Sequence, residues 1–312
     1  MKLTSWVWVG ASAAILAACA PGDAGSPAAA VDPLLAPIAP EYARQWLGEE
    51  APVRLHGDTF LVGFAGLNVA LIRTDEGLIL VDGAVPQAVP SIERNLRALG
   101  FRLQDVRYIL STEPHYDHAG GLAALSRGSG ATVLASPQAS EVLARGRSGP
   151  DDPQADSLEP FPPVRRLRSV ADGESVRLGD VVVTARATPG HTPGSTSWTW
   201  RSCEAADCRQ VVFASSLSPI SADGYRFSDP ANRPLREAFV RTFEVLRQMP
   251  CDILITSPPS QSTGAERPAR LRDARDPNPF IDRHACRAYA DRYARLFEER
   301  LQRERSVSPG GR

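Results

Sequence analysis

The sequence predicts an α/β protein built as an αβ/βα sandwich, two facing mixed sheets with helices outside. Three observations carry that reading. Short apolar runs of strand length are followed by helical segments, and the same succession repeats in the second half of the 312-residue chain. Residues 45–312 contain no second linker rich in proline, glycine and serine, so one domain is expected there. A cluster of histidines and carboxylates follows directly after the mostly apolar Val106–Leu110. The carboxyl end of a buried strand is where open α/β sheets place their sites.

The elements follow from period and punctuation. Thr59–Val62, Asn68–Arg73 and Leu78–Val81 read as strands, with a turn at Thr74-Asp75-Glu76-Gly77. Ser91–Leu99 is the end of a helix whose Ile92, Leu96 and Leu99 share a face, and Gly100 stops it. Val106–Leu110 is a buried strand, Ala119–Ser126 a helix, Thr132–Ala135 a strand, and Ser136-Pro137 caps a helix to about Ala144. Arg147–Pro163 is polar and proline-bearing, a surface loop. Strands are then expected at Val164–Leu167, Glu174–Leu178, Val181–Ala187, Ser195–Trp200 and Gln210–Ala214. Leu235–Met249 is a helix with Leu235, Phe239, Phe243 and Leu246 at helical spacing, and Ile253–Thr256 is the last strand. Pro258–Asp282 is irregular, and Arg283–Arg303 is an amphipathic helix.

The first residues read differently. Lys2 followed by the apolar Ser5–Ala18 has the form of a signal peptide (residues 1–19). It ends in Leu16-Ala17-Ala18-Cys19, which resembles a bacterial lipoprotein cleavage site and implies a lipidated Cys19. An uncleaved anchor or ordinary signal peptide is the competing reading. Residues 20–44, rich in alanine, proline and glycine at their start, are expected to be a flexible tether. The body is therefore expected in the periplasm, its only membrane contact the lipid anchor. Ala20 after Cys19 favours the outer membrane.

A net charge of −1 leaves no basic stripe, so nucleic acid is not an expected partner, and a monomer is expected. Four cysteines remain besides Cys19. Cys203 and Cys208 are close enough to staple a hairpin tip, and a Cys251–Cys286 bond would tie the last helix down. Export makes both disulfides plausible; free buried thiols are the alternative.

The chemistry lies in Glu113-Pro114-His115-Tyr116-Asp117-His118. Two of the chain's five histidines fall here, three apart and flanked by two carboxylates, the side chains that zinc takes as ligands. A third, His191, sits in Thr188-Pro189-Gly190-His191-Thr192-Pro193-Gly194, a tight loop. The bland alternative is a set of surface or capping polar residues.

These motifs, with Val211–Ser218, Pro250–Thr256 and Ala285–Ala290, resemble the metallo-β-lactamase family and its subclass B3 from about residue 45 to 303. The resemblance implies two zinc ions sharing a hydroxide that opens the β-lactam ring of penicillins, cephalosporins or carbapenems, and so antibiotic resistance. It implies Glu113, His115 and His191 on the first zinc and Asp117 and His118 on the second. Ser216 and Ser218 fall where the subclass contacts the substrate carboxylate; hydrogen bonding at a sheet end is their structural alternative.

Three positions depart from the family. Glu113 stands where histidine is usual, and its carboxylate would partly neutralise the ion. Pro258 falls where the last zinc histidine is expected, so Asp117 and His118 lack a third donor and the second zinc is expected to be weak or absent. Ser215 replaces a common aspartate, loosening support for the ligands. With one site filled, Asp117 is expected to act as general base. A lactonase or thioester hydrolase on the same fold, and a non-catalytic binder, are the competing functions.

Overall fold

The computed structural model describes residues 1–2, 4–5, 32–273 and 278–306. Cys19, residues 20–31 of the expected tether and nearly all of the expected signal peptide lie outside the described residues. From Asp32 onward the chain is one compact unit.

The first sheet has seven strands in chain order: β1 (Val53–His56), β2 (Thr59–Leu61), β3 (Ala70–Thr74), β4 (Gly77–Val81), β5 (Val106–Leu110), β6 (Thr132–Ala135) and β7 (Leu167–Ser169). β1 to β4 form an antiparallel meander, and β4 to β7 run parallel. Helices α1 (Pro40–Ala43), α2 (Val89–Ala98), α3 (Tyr116–Ala119), α4 (Leu122–Ser129) and α5 (Pro137–Arg145) are interspersed with these strands. The second sheet holds β8 (Ser175–Leu178), β9 (Val181–Ala187), β10 (Thr196–Glu204), β11 (Asp207–Ala214) and β12 (Ile253–Thr256), ordered β12-β11-β10-β9-β8. Its strands are antiparallel except for the parallel β11–β12 pair. α6 (Arg233–Gln248), α7 (Arg267–Asp273) and α8 (Ala285–Ser306) belong to the second half.

Three apolar layers make this the expected αβ/βα sandwich. Leu55, Ile72, Ile79 and Leu110 of the first sheet face Val183, Trp200, Phe213 and Ile255 of the second. Leu71, Leu80 and Ile109, on the other face of the first sheet, pack against Ile92, Leu96, Leu125 and Leu143 of α2, α4 and α5. Val212 and Leu254 pack against Phe239, Phe243, Tyr289 and Phe297 of α6 and α8. Alternation along each strand explains the split: neighbours in sequence point to opposite faces, so Val212 and Phe213 serve different layers.

Two indoles tie the sheets together. Trp198 Nε1 donates to the Ser111 carbonyl at 3.0 Å, and Trp200 Nε1 donates to Thr59 Oγ1 at 2.9 Å. Both rings are buried, so each needs a partner for its N–H, and both partners belong to the first-sheet half. The Trp198 bond anchors the segment that leaves β5 toward the histidine cluster.

Several expected elements shift. The strand read at Val164–Leu167 is instead Leu167–Ser169, while Val164 is buried in the outer layer of the first sheet. Apolarity there reflected packing rather than pairing. β1 went unread because Val53-Arg54-Leu55-His56 is too short and mixed to signal a strand. β10 and β11 extend to Glu204 and Asp207 because the Cys203–Cys208 bridge forms at the polar hairpin tip. The single helix read at Ala119–Ser126 is two, α3 and α4, divided at Gly120-Gly121. Pro258–Asp282, read as irregular, contains a 3-10 turn at Pro259–Ser262 and α7.

The tether reading is corrected over residues 32–44. Asp32 caps a 3-10 turn at Pro33–Leu35, accepting from the Leu34 N–H at 3.0 Å, and α1 follows. Leu34, Leu35 and Ile38 pack on the first sheet's outer layer. These few apolar residues were masked by the alanine and proline around them.

The Cys251–Cys286 bridge also forms, joining a residue two before β12 to the first turn of α8. It closes a loop over a separation of 35 residues. Cys251→Ser is expected to lower stability by about 3–4 kcal/mol through regained freedom of the unfolded chain, read as a fall in unfolding free energy by denaturant titration. An unchanged midpoint and slope would contradict a closed bridge.

Candidate metal centre

The segment after β5 turns into the seam between the sheets. Glu113 precedes a proline, which keeps it out of helical conformation, and His115 is still extended at φ −95° and ψ 151°. One helical turn then begins, and the His118 and Ala119 N–H groups both donate to the His115 carbonyl, at 3.0 and 2.7 Å. His191 arrives from the β9–β10 loop. There Gly190 has φ +150°, and a Cβ would lie 2.5 Å from the Phe239 ring, so only glycine fits.

Glu113, His115 and His191 are buried and offer ligand atoms all within 4.8 Å of one another. Glu113 Oε1 is 3.4 Å from His191 Nε2 and 3.9 Å from His115 Nδ1. Its other oxygen, Oε2, accepts the Ser216 N–H at 2.8 Å. The remaining nitrogens face outward from the group. His191 Nδ1 lies 2.7 Å from the Ser218 carbonyl, and His115 Nε2 lies 2.9 Å from Asp152 Oδ2. A carbonyl only accepts, so His191 Nδ1 carries the proton and Nε2 is the bare nitrogen.

His118 stands to one side. Its Nδ1 is 2.8 Å from Asp82 Oδ2, and its Nε2 lies 3.1 Å from Glu113 Oε1 and 3.6 Å from Asp117 Oδ2. Among the described residues no third histidine, cysteine or carboxylate completes a set with Asp117 and His118. Pro258 lines the same cavity. Neither of the other histidines reaches it: His56 pairs with Asp207 at 3.4 Å, and His284 is exposed.

The electrostatics favour a cation. Burial raises the Glu113 carboxyl, but the three histidines beside it outweigh that and hold it below the usual range. Burial lowers His191, more than Glu113 raises it. For His118, burial lowers the ring, yet Glu113, Asp117 and Asp82 override this and push it up to about 10. His115 follows the same rule, with burial overcome mainly by the Asp152 hydrogen bond.

These groups open into a cavity of ≈ 570 Å³. Ser216 and Ser218 both line it, as does Asp117. Tyr42 and Trp46, the latter 6.2 Å from Tyr116 between ring centroids, form its wall, so Tyr42, read as part of the tether, helps to shape the site. Ser215 does not: its hydroxyl is buried and bonded to Thr188 Oγ1 at 2.8 Å, which in turn lies 2.9 Å from Ser197 Oγ. A chain of hydroxyls satisfies the place where a carboxylate was expected.

Asp82, Asp152, Gln154 and Gln261 were missed from sequence. Asp82 had a signal, a lone acid at the end of the apolar Leu78–Val81 strand. It sits at φ 64°, a conformation that aspartate tolerates better than most residues. It accepts from the Thr112 N–H at 2.8 Å and from the Thr112 hydroxyl at 2.7 Å. Asp152 and Gln154 had none, since a polar loop offers many equivalent acids and amides. Asp82→Ala would leave the Thr112 N–H unpaired in the interior and take the carboxylate from His118 Nδ1, which keeps only the Thr112 hydroxyl at 3.1 Å. It is expected to cost about 2–4 kcal/mol of stability, measured by denaturant unfolding. A loss below about 1 kcal/mol would show the network to be dispensable.

Comparison with known proteins points to one family. The sequence model of the metallo-β-lactamase superfamily matches residues 62–206. A solved structure described as the first B3 metallo-β-lactamase with an active-site glutamic acid is 48% identical, with 88% of this chain and 99% of that one covered and a TM-score of 0.82. The Rm3 metallo-β-lactamase is 42% identical over 85% of this chain and 98% of its own, TM-score 0.82. MIM-1 from Novosphingobium pentaromativorans is 38% identical over 84% and 94%, TM-score 0.77. A hydroxyacylglutathione hydrolase of Bradyrhizobium sp. (strain ORS 278) is 33% identical over 129 residues, and the match spans only 41% of that protein. The chain belongs to the metallo-β-lactamase superfamily, among its subclass B3 members.

Proposed function

We propose that this chain is a zinc-dependent β-lactamase that opens the rings of penicillins, cephalosporins or carbapenems and so confers resistance to them. The observation that carries the reading is the buried Glu113, His115 and His191 group, its ligand atoms within 4.8 Å, opening into a cavity beside Ser216 and Ser218. The donor set fits zinc: one anionic carboxylate and two imidazoles, with His191 Nε2 bare and aimed at Glu113. Three protein ligands leave a fourth position open, as catalytic zinc requires. When bound there, zinc would acidify a water and polarise a carbonyl.

The chain's own residues supply the rest. Asp117 lines the cavity and takes the proton of the attacking water, then returns it to the lactam nitrogen as the ring opens. No arginine or lysine lines the cavity among the described residues. The substrate carboxylate therefore meets neutral donors: the Ser216 and Ser218 hydroxyls and the amides of Gln154 and Gln261. Gln261 Nε2 donates to Ser216 Oγ at 3.1 Å, which fixes that hydroxyl at the cavity edge.

A second zinc would have Asp117 and His118 as donors and Pro258 where a third is needed, so it is held weakly or not at all. Leu16–Cys19 and the two disulfides support a periplasmic protein held to the membrane by lipidated Cys19. The partial likeness to a hydroxyacylglutathione hydrolase favours thioester hydrolysis as a second reading.

Purified protein with about one zinc per chain is expected to open both a penicillin and a carbapenem and to stop when a chelator is added. Zinc bound with neither ring opened, but a thioester cleaved, would replace the first reading by the second. Pro258→His is expected to raise zinc content toward two per chain and turnover with it, measured by metal analysis beside initial rates. A rise in neither would show that Pro258 is not what weakens the second site.

A further inference from the structure

The loop between α5 and β7 reaches both histidines of the zinc site proposed above, on which this inference rests. Asp152 is buried, and its carboxylate is fully engaged. Oδ1 accepts the Gln154 N–H at 2.8 Å, and Oδ2 accepts the Ser148 hydroxyl at 3.2 Å and faces His115 Nε2 at 2.9 Å. A carboxylate pinned from its own loop and placed against Nε2 draws the ring proton there. Nδ1 is thereby left bare toward Glu113 Oε1, 3.9 Å away. Two residues on, Gln154 does the reverse. Its amide nitrogen lies 3.2 Å from His191 Nε2. That nitrogen is bare because Nδ1 faces the Ser218 carbonyl, so the amide NH₂, rather than its oxygen, must face it. Gln154 thus hydrogen-bonds the same lone pair that a metal would take.

We infer that the Asp152–Gln154 segment sets zinc affinity with two opposed contacts. Asp152 is a positioning residue that presents His115 Nδ1, and Gln154 is a competitor that a metal must displace from His191. The pairing gives opposite signs for two residues two apart in the chain, which general loosening of a loop would not produce. Asparagine at 152 keeps an acceptor oxygen for the His115 N–H, whereas alanine removes it.

The test is the zinc dissociation constant of the purified chain, read by competition with a chromophoric chelator, for wild type, Asp152→Ala, Asp152→Asn and Gln154→Ala. Thermal unfolding of each metal-stripped variant serves as a folding control. Asp152→Ala is expected to weaken zinc by about 10–100-fold, with Asp152→Asn closer to wild type. Gln154→Ala is expected to tighten zinc by a few-fold, roughly the loss of one neutral hydrogen bond. An Asp152→Ala chain that folds and binds within about twofold of wild type overturns the positioning role. Asp152→Asn weakening zinc by about 10-fold or more does so as well, and decides the matter should the alanine variant fail to fold. Gln154→Ala binding more weakly than wild type overturns the competitor role. Wild type that takes up no zinc would instead overturn the zinc site itself, whereas wild-type binding with unaffected variants overturns this inference alone.

Discussion

A carboxylate at 1% exposure is the constraint around which this molecule is arranged. An ionised Glu113 in the interior is costly unless every lone pair finds a donor or a cation. One oxygen is met by the Ser216 N–H, delivered from the end of β11 in the second sheet. The other faces imidazoles from the β5 end and from the β9–β10 loop. No single element could supply all of these, so the site exists only where the two sheets close on one another. The buried Trp198 and Trp200 indoles, each hydrogen-bonded across the interface, hold that closure.

The centre is asymmetric. Glu113, His115 and His191 converge as one donor set, whereas Asp117 and His118 find no third donor to complete a second among the described residues, and Pro258 lines the same cavity. His118 is engaged by Asp82, which also fixes Thr112 through two hydrogen bonds. Asp82 therefore stiffens the chain on both flanks of Glu113. An extra negative residue in the ligand set and a missing histidine act in one direction. In the zinc enzyme proposed above, more of the ion's charge would be neutralised at the first site and less binding would be available at the second.

The walls are as specific as the floor. Tyr42 comes from a segment whose composition resembles a linker, with Trp46 just beyond it, yet Leu34, Leu35 and Ile38 fasten that segment to the first sheet's outer layer. Gln261 and Tyr289 back the serine edge: the Tyr289 hydroxyl lies 2.9 Å from Gln261 Oε1 and 3.1 Å from the Ser215 carbonyl. The cavity is bounded by aromatic rings, hydroxyls and amides, so it offers hydrogen-bond donors rather than an arginine or lysine side chain among the described residues.

The sequence by itself determined the layers, because period-two apolar runs and helical stripes depend only on neighbours along the chain. It also marked Glu113, His115, Asp117, His118 and His191 as candidate ligands, because scarce histidines beside acids and glycines are a local signal, while their division between two sites came from the family resemblance. Only the tertiary structure decided which groups support them. Asp152 and Asp82 are ordinary acids in sequence and become ring partners at 37 and 36 residues' distance from His115 and His118. β1, α1 and the true place of β7 were likewise settled by packing, since runs of three or four mixed residues take their conformation from the surface that receives them. Local pattern fixes what an element can bury; burial against distant residues fixes which polar groups must then meet.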